Sequence, residues 1–161
     1  MSERMKIEVD PDWGKIDPIR EKARQFLTDS GLAISTIHAL VMVLGELLEN
    51  SVKYGSYESS DDQIKLEIGI EDNIITVAVT NPVDDGSIDD LHDLDRMIQW
   101  VRGHQDPFEA YTNRLREVAK KPLHDEASGL GIVRIAYEGD VVLDFFVNQD
   151  NLLTVSAVLT V

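Results

Sequence analysis

The chain contains no cysteine, and this absence excludes two common classes of small protein. Without cysteine there is no disulfide framework and no thiolate metal site. The four histidines never fall at a metal-ligand spacing such as HxxxH; they are His38, His92, His104 and His124. We therefore do not expect a metal ion that is bound by protein side chains alone.

Long hydrophobic segments are absent as well. The longest unbroken apolar run covers the seven residues from Ala39 to Gly45, far short of the roughly 20 residues that span a bilayer. The N-terminal sequence MSERMKIEVD also lacks the apolar stretch of a secretion signal. We therefore expect a cytoplasmic protein with no membrane partner.

Basic residues are scarce, with 15 Lys and Arg against 30 Asp and Glu and a net charge of −15. This charge repels nucleic-acid phosphates, so DNA and RNA are excluded as expected partners. The rest of the composition is globular, with 43% hydrophobic and 28% charged residues. At 161 residues, the length predicts a single domain over 1–161 with one core.

Hydrophobic periodicity predicts an alternation of strands and helices. Asp17 and Pro18 are expected to begin the first helix and Gly31 to end it, while Ser35 and Gly55 are expected to bound the second. The predicted elements are a strand over Met5–Val9, helices over 18–30 and 35–54, a hairpin of 64–70 and 74–80, a helical insert over 84–126, a helix over 129–137, and strands over 141–147 and 152–161. This order favours an α+β fold, a two-layer α/β sandwich with a mixed, mostly antiparallel sheet and helices on one face.

The second predicted helix carries a polar cluster among apolar residues. Glu46, Glu49, Asn50 and Lys53 share one face at the spacing i, i+3, i+4, i+7. A solvated face is the simplest interpretation, but apolar residues such as Leu47 surround this cluster. Burying an unpaired carboxylate costs several kcal/mol, so a covered cluster of this kind favours a functional pocket.

A glycine-rich segment, Ser128 to Gly131 with the sequence SGLG, leads into the helix predicted over 129–137. Glycines at a helix start allow close approach of a ligand, and the unpaired N–H groups there attract phosphate. A tight turn alone would explain the same residues.

Together, these two motifs resemble those of a known superfamily. Glu46, Asn50, Lys53 and Tyr54, in the pattern ExxxNxxKY, resemble the N-box of the GHKL (Bergerat-fold) ATPases, and 128–132 resembles their G2 box. The N-terminal part is similar to the stand-alone anti-sigma-factor serine kinases. The region 81–131 is similar to related kinases that act on a STAS-domain partner in biofilm regulation.

The resemblance implies that the chain binds Mg·ATP. Glu46 would be the general base, Asn50 a ligand of Mg²⁺, and Lys53 a positive charge near the phosphates. The segment Gly129, Leu130 and Gly131 would cradle the phosphates with backbone amides.

The sequence departs from the superfamily at the adenine-reading DxGxG box. Asn81 stands where the aspartate is expected, followed by Pro82 instead of a glycine-rich turn. A neutral acceptor gives about half the strength of a charge-assisted hydrogen bond. The insert 84–126 takes the place of the ATP lid.

The resemblance therefore implies a bacterial regulatory serine/threonine-protein kinase. Its expected partner is a STAS-type antagonist, and a sigma factor is a second candidate partner. The alternative is a non-catalytic binding module of the same fold with a degenerate nucleotide pocket. The sequence leaves a homodimer open.

Overall fold

The computed structural model describes residues 2–59, 61–84, 88–102 and 141–161, with the backbone alone at 88–90 and 101–102. A 3-10 turn over Trp13–Lys15 precedes the first α-helix. The described elements are β1 (Ser2–Val9), α1 (Ile16–Asp29), α2 (Ile34–Tyr54), β2 (Ile64–Glu71), β3 (Ile74–Pro82), α3 (Ile88–Arg102), β4 (Val142–Val147) and β5 (Leu152–Thr160).

The described strands form one sheet in the order β1-β2-β3-β5-β4, and every pair is antiparallel. The β2–β3 hairpin turns through two residues, since Glu71 pairs directly with Ile74. Asp72 takes a positive φ of 54° there, a conformation that aspartate tolerates better than most residues. The predicted hairpin is confirmed.

The core lies between one face of the sheet and the helices. Alternate residues of β2 and β3 point into it, and Leu40, Leu44 and Leu48 of α2 cover them, each no more than 1% exposed. In α3, which lies in the predicted insert, Ile98 is also 1% exposed and belongs to the same core. The α+β, two-layer fold predicted from the sequence is therefore confirmed.

Gly31 ends α1, as predicted. It has a φ of +80°, and its N–H donates to the Thr28 carbonyl at 3.0 Å while the N–H of Leu32 donates to that of Leu27 at 3.5 Å. This pair of bonds is a Schellman motif, in which a glycine takes the left-handed conformation without a steric penalty.

The two predicted helix starts are wrong by one or two residues. Helix α1 begins at Ile16, and Asp17 lies inside its first turn, because the preceding 3-10 turn, capped by Asp12, runs directly into the helix. Helix α2 begins at Ile34 with Ala33 as N-cap, so the side chain of Ser35 caps nothing there.

Several predicted features lie outside the described residues. They are the second helix of the insert, the helix over 129–137 and the glycine-rich segment before it. Within the described part of the chain, no helix is long and apolar enough to cross a membrane.

Candidate functional site

Helix α2 is the central element of the candidate site, and it is buried on more than one side. It packs against α1 and against β3. Besides Leu40, Leu44 and Leu48, which cover the sheet, Val43 and Leu47 on other faces of the helix are 0% and 2% exposed. The polar residues of α2 therefore emerge from a helix that is largely covered.

The candidate residues of α2 differ in exposure. Glu46 and Asn50, one turn apart, are half-buried, whereas Lys53 is exposed. The Lys53 Nζ lies 5.1 Å from the centroid of the Tyr54 ring, a cation–π distance. The helix thus presents a partly covered carboxylate and amide, with a solvent-facing cation at its C-terminal end.

Asn81 is one of two buried polar residues in the described chain, 3% exposed near the end of β3. It alternates with Val77 and Val79, so its side chain lies on the helix-covered side of the sheet. Its Nδ2 donates to the carbonyl of Pro82 at 3.0 Å. The donor end of the amide is thus engaged by the backbone.

Hydrogen bonds join the end of β3 to the segment after α2. The backbone N–H of Ser56 donates to the Pro82 carbonyl at 2.9 Å, and the Ser56 hydroxyl donates to Asp84 Oδ2 at 2.7 Å. The Pro82 carbonyl therefore accepts two bonds, one from Asn81 and one from Ser56. The C-terminal end of α2 and the end of β3 meet at one corner of the sandwich, which we call the α2–β3 corner.

Tyr57 makes a further hydrogen bond at this corner, to the backbone of α2. Its hydroxyl donates to the Ser51 carbonyl at 2.7 Å. A Cβ on Gly55 would lie only 2.5 Å from the Tyr57 oxygen, so the glycine is needed for this approach. Burial, and then the negative charge of Asp62, raise the pKa of Tyr57, so the hydroxyl remains a donor at neutral pH.

Arg20 of α1 fixes α2 at a position next to Glu46. Its Nη2 donates to Glu49 Oε1 at 3.0 Å and its Nη1 to Asp17 Oδ1 at 2.8 Å. A Cβ on Gly45 would lie 2.4 Å from two nitrogens of the guanidinium. The guanidinium therefore lies against the backbone of α2 at Gly45, the residue before Glu46.

The structure brings some of the predicted site residues together and does not describe others. Glu46, Asn50 and Lys53 follow one another along α2, and Asn81 lies on the strand whose end meets the end of this helix. Gly129, Leu130 and Gly131 lie outside the described residues. Among the residues that are described, no group of three or more His, Cys, Asp or Glu could hold a metal ion.

The sequence analysis missed two contacts that position α2. The contact of Arg20 with Gly45 and Glu49 joins two helices, and Tyr57 bonds a backbone carbonyl, so no local pattern indicates either contact. The sequence does contain a signal at Gly45, because this glycine lies inside a long predicted helix. A glycine inside a long helix costs about 1 kcal/mol relative to alanine and often has a packing reason.

The described elements define the class of fold as a two-layer α/β sandwich with a five-stranded antiparallel sheet and its helices on one side. A chain of the crystal structure of the SiaB–SiaC complex from Pseudomonas aeruginosa has a similar fold. The two chains share 19% sequence identity with a TM-score of 0.69, over 98% of this chain and 89% of that chain. At this identity the likeness concerns the fold alone. No family model and no curated protein matches the sequence.

Proposed function

We propose that this chain is a GHKL-type regulatory protein kinase that binds Mg·ATP at the α2–β3 corner and phosphorylates a serine or threonine of a partner protein. The observation that carries the proposal is the meeting of α2, with half-buried Glu46 and Asn50, and the end of β3, with buried Asn81. The GHKL pattern has a glutamate and an asparagine on this helix, as here, and an aspartate at the strand position that Asn81 occupies in this chain.

Glu46 is proposed as the general base. A half-buried carboxylate accepts the proton of an acceptor hydroxyl when the two are within hydrogen-bond reach. The hydroxyl oxygen of the partner forms a bond to the γ-phosphorus, the bond from that phosphorus to the β,γ-bridging oxygen breaks, ADP leaves, and the proton passes to Glu46. The enzyme's task is mainly positioning and charge neutralisation.

Asn81 is proposed to read the adenine. The bond from its Nδ2 to the Pro82 carbonyl leaves the amide oxygen as the end that accepts a hydrogen bond from the exocyclic amino group. Because the side chain is 3% exposed, such a bond forms away from competing water. The exposed Lys53 is proposed to attract the phosphates as a point charge.

The residues present fit a magnesium ion that is shared with a nucleotide. An amide oxygen from Asn50, with phosphates and waters as the other ligands, is a usual donor set for this ion. When bound, Mg²⁺ neutralises phosphate charge. Residues 84–126 are proposed as the lid over this site, and the segment Gly129, Leu130 and Gly131 as its phosphate cradle.

A protein partner is proposed on the basis of the fold. The similar chain from Pseudomonas aeruginosa belongs to a complex of SiaB with SiaC. By extension we propose that this chain acts on a STAS-type regulator, or sequesters a sigma factor, within a signalling pathway.

The direct test is transfer of labelled γ-phosphate to STAS-domain proteins encoded near the gene. Replacing Glu46 with Gln keeps the size and removes the base, so we expect the transfer rate to fall at least about 100-fold, as is typical when a general base is lost. Nucleotide affinity should be unchanged, which calorimetry would check.

The matched control is Glu21→Gln on the exposed side of α1, which should transfer at the normal rate. A Glu46→Gln variant that phosphorylated its partner as fast as wild type would show that the general base is another group.

A non-catalytic binding module of the same fold is the second candidate, and one observation favours it. Asn81 is neutral where the superfamily has an aspartate, and a neutral acceptor binds the adenine amino group more weakly than a carboxylate does. Partner binding with no effect of ATP and no transfer would support this alternative.

A further inference from the structure

Asn81 lies among apolar residues near the end of β3, and its side chain is 3% exposed. It follows Val77 and Val79 on the same face of the strand, both buried, and it pairs across to Leu153 of β5, which is buried as well. Residues that pair directly across two strands point to the same face of a sheet. The amide is therefore a polar group in apolar surroundings, where each of its hydrogen bonds counts for more than it would in water.

The donor end of this amide has a fixed partner. The Asn81 Nδ2 donates to the carbonyl oxygen of Pro82 at 3.0 Å, and that oxygen also accepts the backbone N–H of Ser56 at 2.9 Å. A carbonyl oxygen has two lone pairs, so these two bonds use both of them. Pro82 is itself part of the sheet, because it pairs with Leu152 of β5. The group that accepts from Asn81 is thus held by the framework of the sandwich.

This partner decides which atom of the amide accepts a further hydrogen bond. The oxygen and the nitrogen of an asparagine side chain are similar in size, so an unconstrained amide can turn over and present either one. Turning over the Asn81 amide would place its oxygen against the Pro82 carbonyl oxygen, with no hydrogen between the two acceptors. Because unpaired buried polar groups are costly, the Asn81 oxygen is held in the role of acceptor.

The orientation of the amide matches one class of purine base. A 6-aminopurine such as adenine offers an N–H donor at position 6, whereas a 6-oxopurine such as guanine or hypoxanthine offers a carbonyl oxygen there. The Asn81 oxygen accepts from the first and repels the second. An asparagine that was free to turn over would serve both bases, so the discrimination depends on Pro82 as well as on Asn81.

The same contact opposes an aspartate at position 81. A carboxylate has no hydrogen to donate, so one of its oxygens would face the Pro82 carbonyl oxygen, and its charge would be buried among apolar side chains. A carboxylate is the stronger acceptor where water or other donors surround it. At this position, the loss of the bond to Pro82 and the cost of burial outweigh that advantage.

We propose that the Pro82 carbonyl is a specificity-determining group, which fixes the Asn81 amide to accept from a 6-aminopurine, and that this site requires an amide and is not improved by the aspartate of the superfamily. The inference rests on the proposed binding of Mg·ATP at the α2–β3 corner. It adds that Asn81 and the Pro82 carbonyl form a matched pair.

The first test uses NMR spectroscopy of the isotope-labelled full chain without nucleotide. The side-chain N–H of Asn81 that donates to Pro82 should exchange with solvent at least about tenfold more slowly than the side-chain N–H groups of the exposed Asn73, because a bonded and buried N–H must open before it exchanges. Each signal is assigned by its absence in the variant Asn81→Asp or Asn73→Asp. Equal exchange rates would overturn the proposal.

The second test compares two nucleotides that differ in the base. Wild type should bind Mg·ATP at least about tenfold more tightly than Mg·ITP, whose hypoxanthine has an oxygen at position 6. Asn81→Asp should bind Mg·ATP at least about tenfold more weakly than wild type does. Titration calorimetry measures each affinity, and circular dichroism checks that the variant is folded. The matched control is Asn73→Asp, the same change at an exposed position of the β2–β3 turn, which should bind as wild type does.

The outcomes separate this inference from the proposed function. Wild-type protein that binds neither nucleotide would overturn both. Wild-type protein that binds Mg·ATP and Mg·ITP equally, or a folded Asn81→Asp variant that binds Mg·ATP as tightly as wild type, would overturn the role of Pro82 alone and leave Mg·ATP binding at the corner standing. If Asn81→Asp does not fold, the comparison of the two nucleotides on wild type decides.

Discussion

Single residues at and near the α2–β3 corner have two different roles, ligand contact as proposed and structural support. Glu46 and Asn50 are half-buried side chains that are proposed to contact the ligand. Tyr57 instead bonds a backbone carbonyl of α2 and contributes stability. Substitutions should therefore separate the proposed ligand contacts from the structural ones.

Replacing Asn50 with Ala should weaken ATP binding in the presence of Mg²⁺ and leave the binding in EDTA unchanged, because the proposed role of Asn50 is to supply an oxygen to the ion. We expect a loss of at least about tenfold, the scale seen when groups that support a metal are removed. Titration calorimetry with and without Mg²⁺ measures both affinities.

The control for Asn50→Ala is His38→Ala, an exposed position on the same helix, which should bind as wild type does. An equal loss of affinity with and without Mg²⁺ would mean that Asn50 contacts the nucleotide or the fold, and not the ion.

Replacing Tyr57 with Phe should lower the free energy of unfolding by about 1 kcal/mol, the usual net value of one hydrogen bond. It should also change the pH dependence. The pKa of Tyr57 is raised in the folded state, so the folded protein holds this proton more tightly than the unfolded chain, and stability is lost as the pH rises above about 10.

Urea unfolding at pH 8 and at pH 11 measures this dependence. The drop in unfolding free energy between the two pH values should be smaller in Tyr57→Phe than in wild type. Equal drops would show that Tyr57 titrates alike in the folded and unfolded states.

At the scale of the elements, the sequence predicted what depends on periodicity and missed what depends on contacts between elements. The hydrophobic spacing placed α2 at 35–54, and the structure has Ile34–Tyr54. The predicted starts of α1 and α2 were displaced. Helix α1 begins earlier because Lys15 before it already has helical backbone angles, and α2 begins at Ile34 after the extended Ala33, which makes no side-chain cap. The contact of Arg20 with Gly45 joins residues of two helices, and no local pattern encodes it.

That contact gives a prediction for Gly45→Ala. The new methyl group must displace the guanidinium of Arg20, which is the flexible end of a long side chain. Alanine gains about 1 kcal/mol in helix propensity, and the lost ion pair costs up to about 1 kcal/mol, so the net change in unfolding free energy should be within about 1 kcal/mol.

The coupling between Arg20 and Glu49 should disappear in the Gly45→Ala background, because the guanidinium no longer reaches the carboxylate. A double-mutant cycle with Arg20→Ala and Glu49→Ala, measured by urea unfolding in both backgrounds, tests this. A coupling energy that persists unchanged in the Gly45→Ala background would contradict the account.

At the scale of the whole molecule, the order of the predicted elements was enough to predict the fold class. The distribution of charge over the faces of the sheet could not be predicted in this way. Composition gives a net charge of −15, but only the strand register shows which charged residues share the sheet face that is turned away from the helices. The candidate site could be predicted in part. The spacing of polar residues in the sequence predicts the polar face of α2. The hydrogen bond from Ser56 to the Pro82 carbonyl is seen only in the three-dimensional structure.

The net charge also sets the conditions for testing the site. A strongly acidic protein repels the phosphates of a nucleotide at long range, and this repulsion is screened over about 8 Å at physiological ionic strength. Binding measured at that ionic strength therefore reports on the contacts at the α2–β3 corner instead of on the overall charge.

The central claim is that the α2–β3 corner binds Mg·ATP, and thermal unfolding of the wild-type chain with increasing Mg·ATP tests it most directly. The account predicts a stabilisation of about 2.7 kcal/mol when free ligand reaches about 100 times its dissociation constant, with a smaller effect of Mg·GTP because Asn81 is proposed to read adenine. An unfolding transition that does not move at millimolar Mg·ATP, or that moves equally with Mg·GTP, would contradict it.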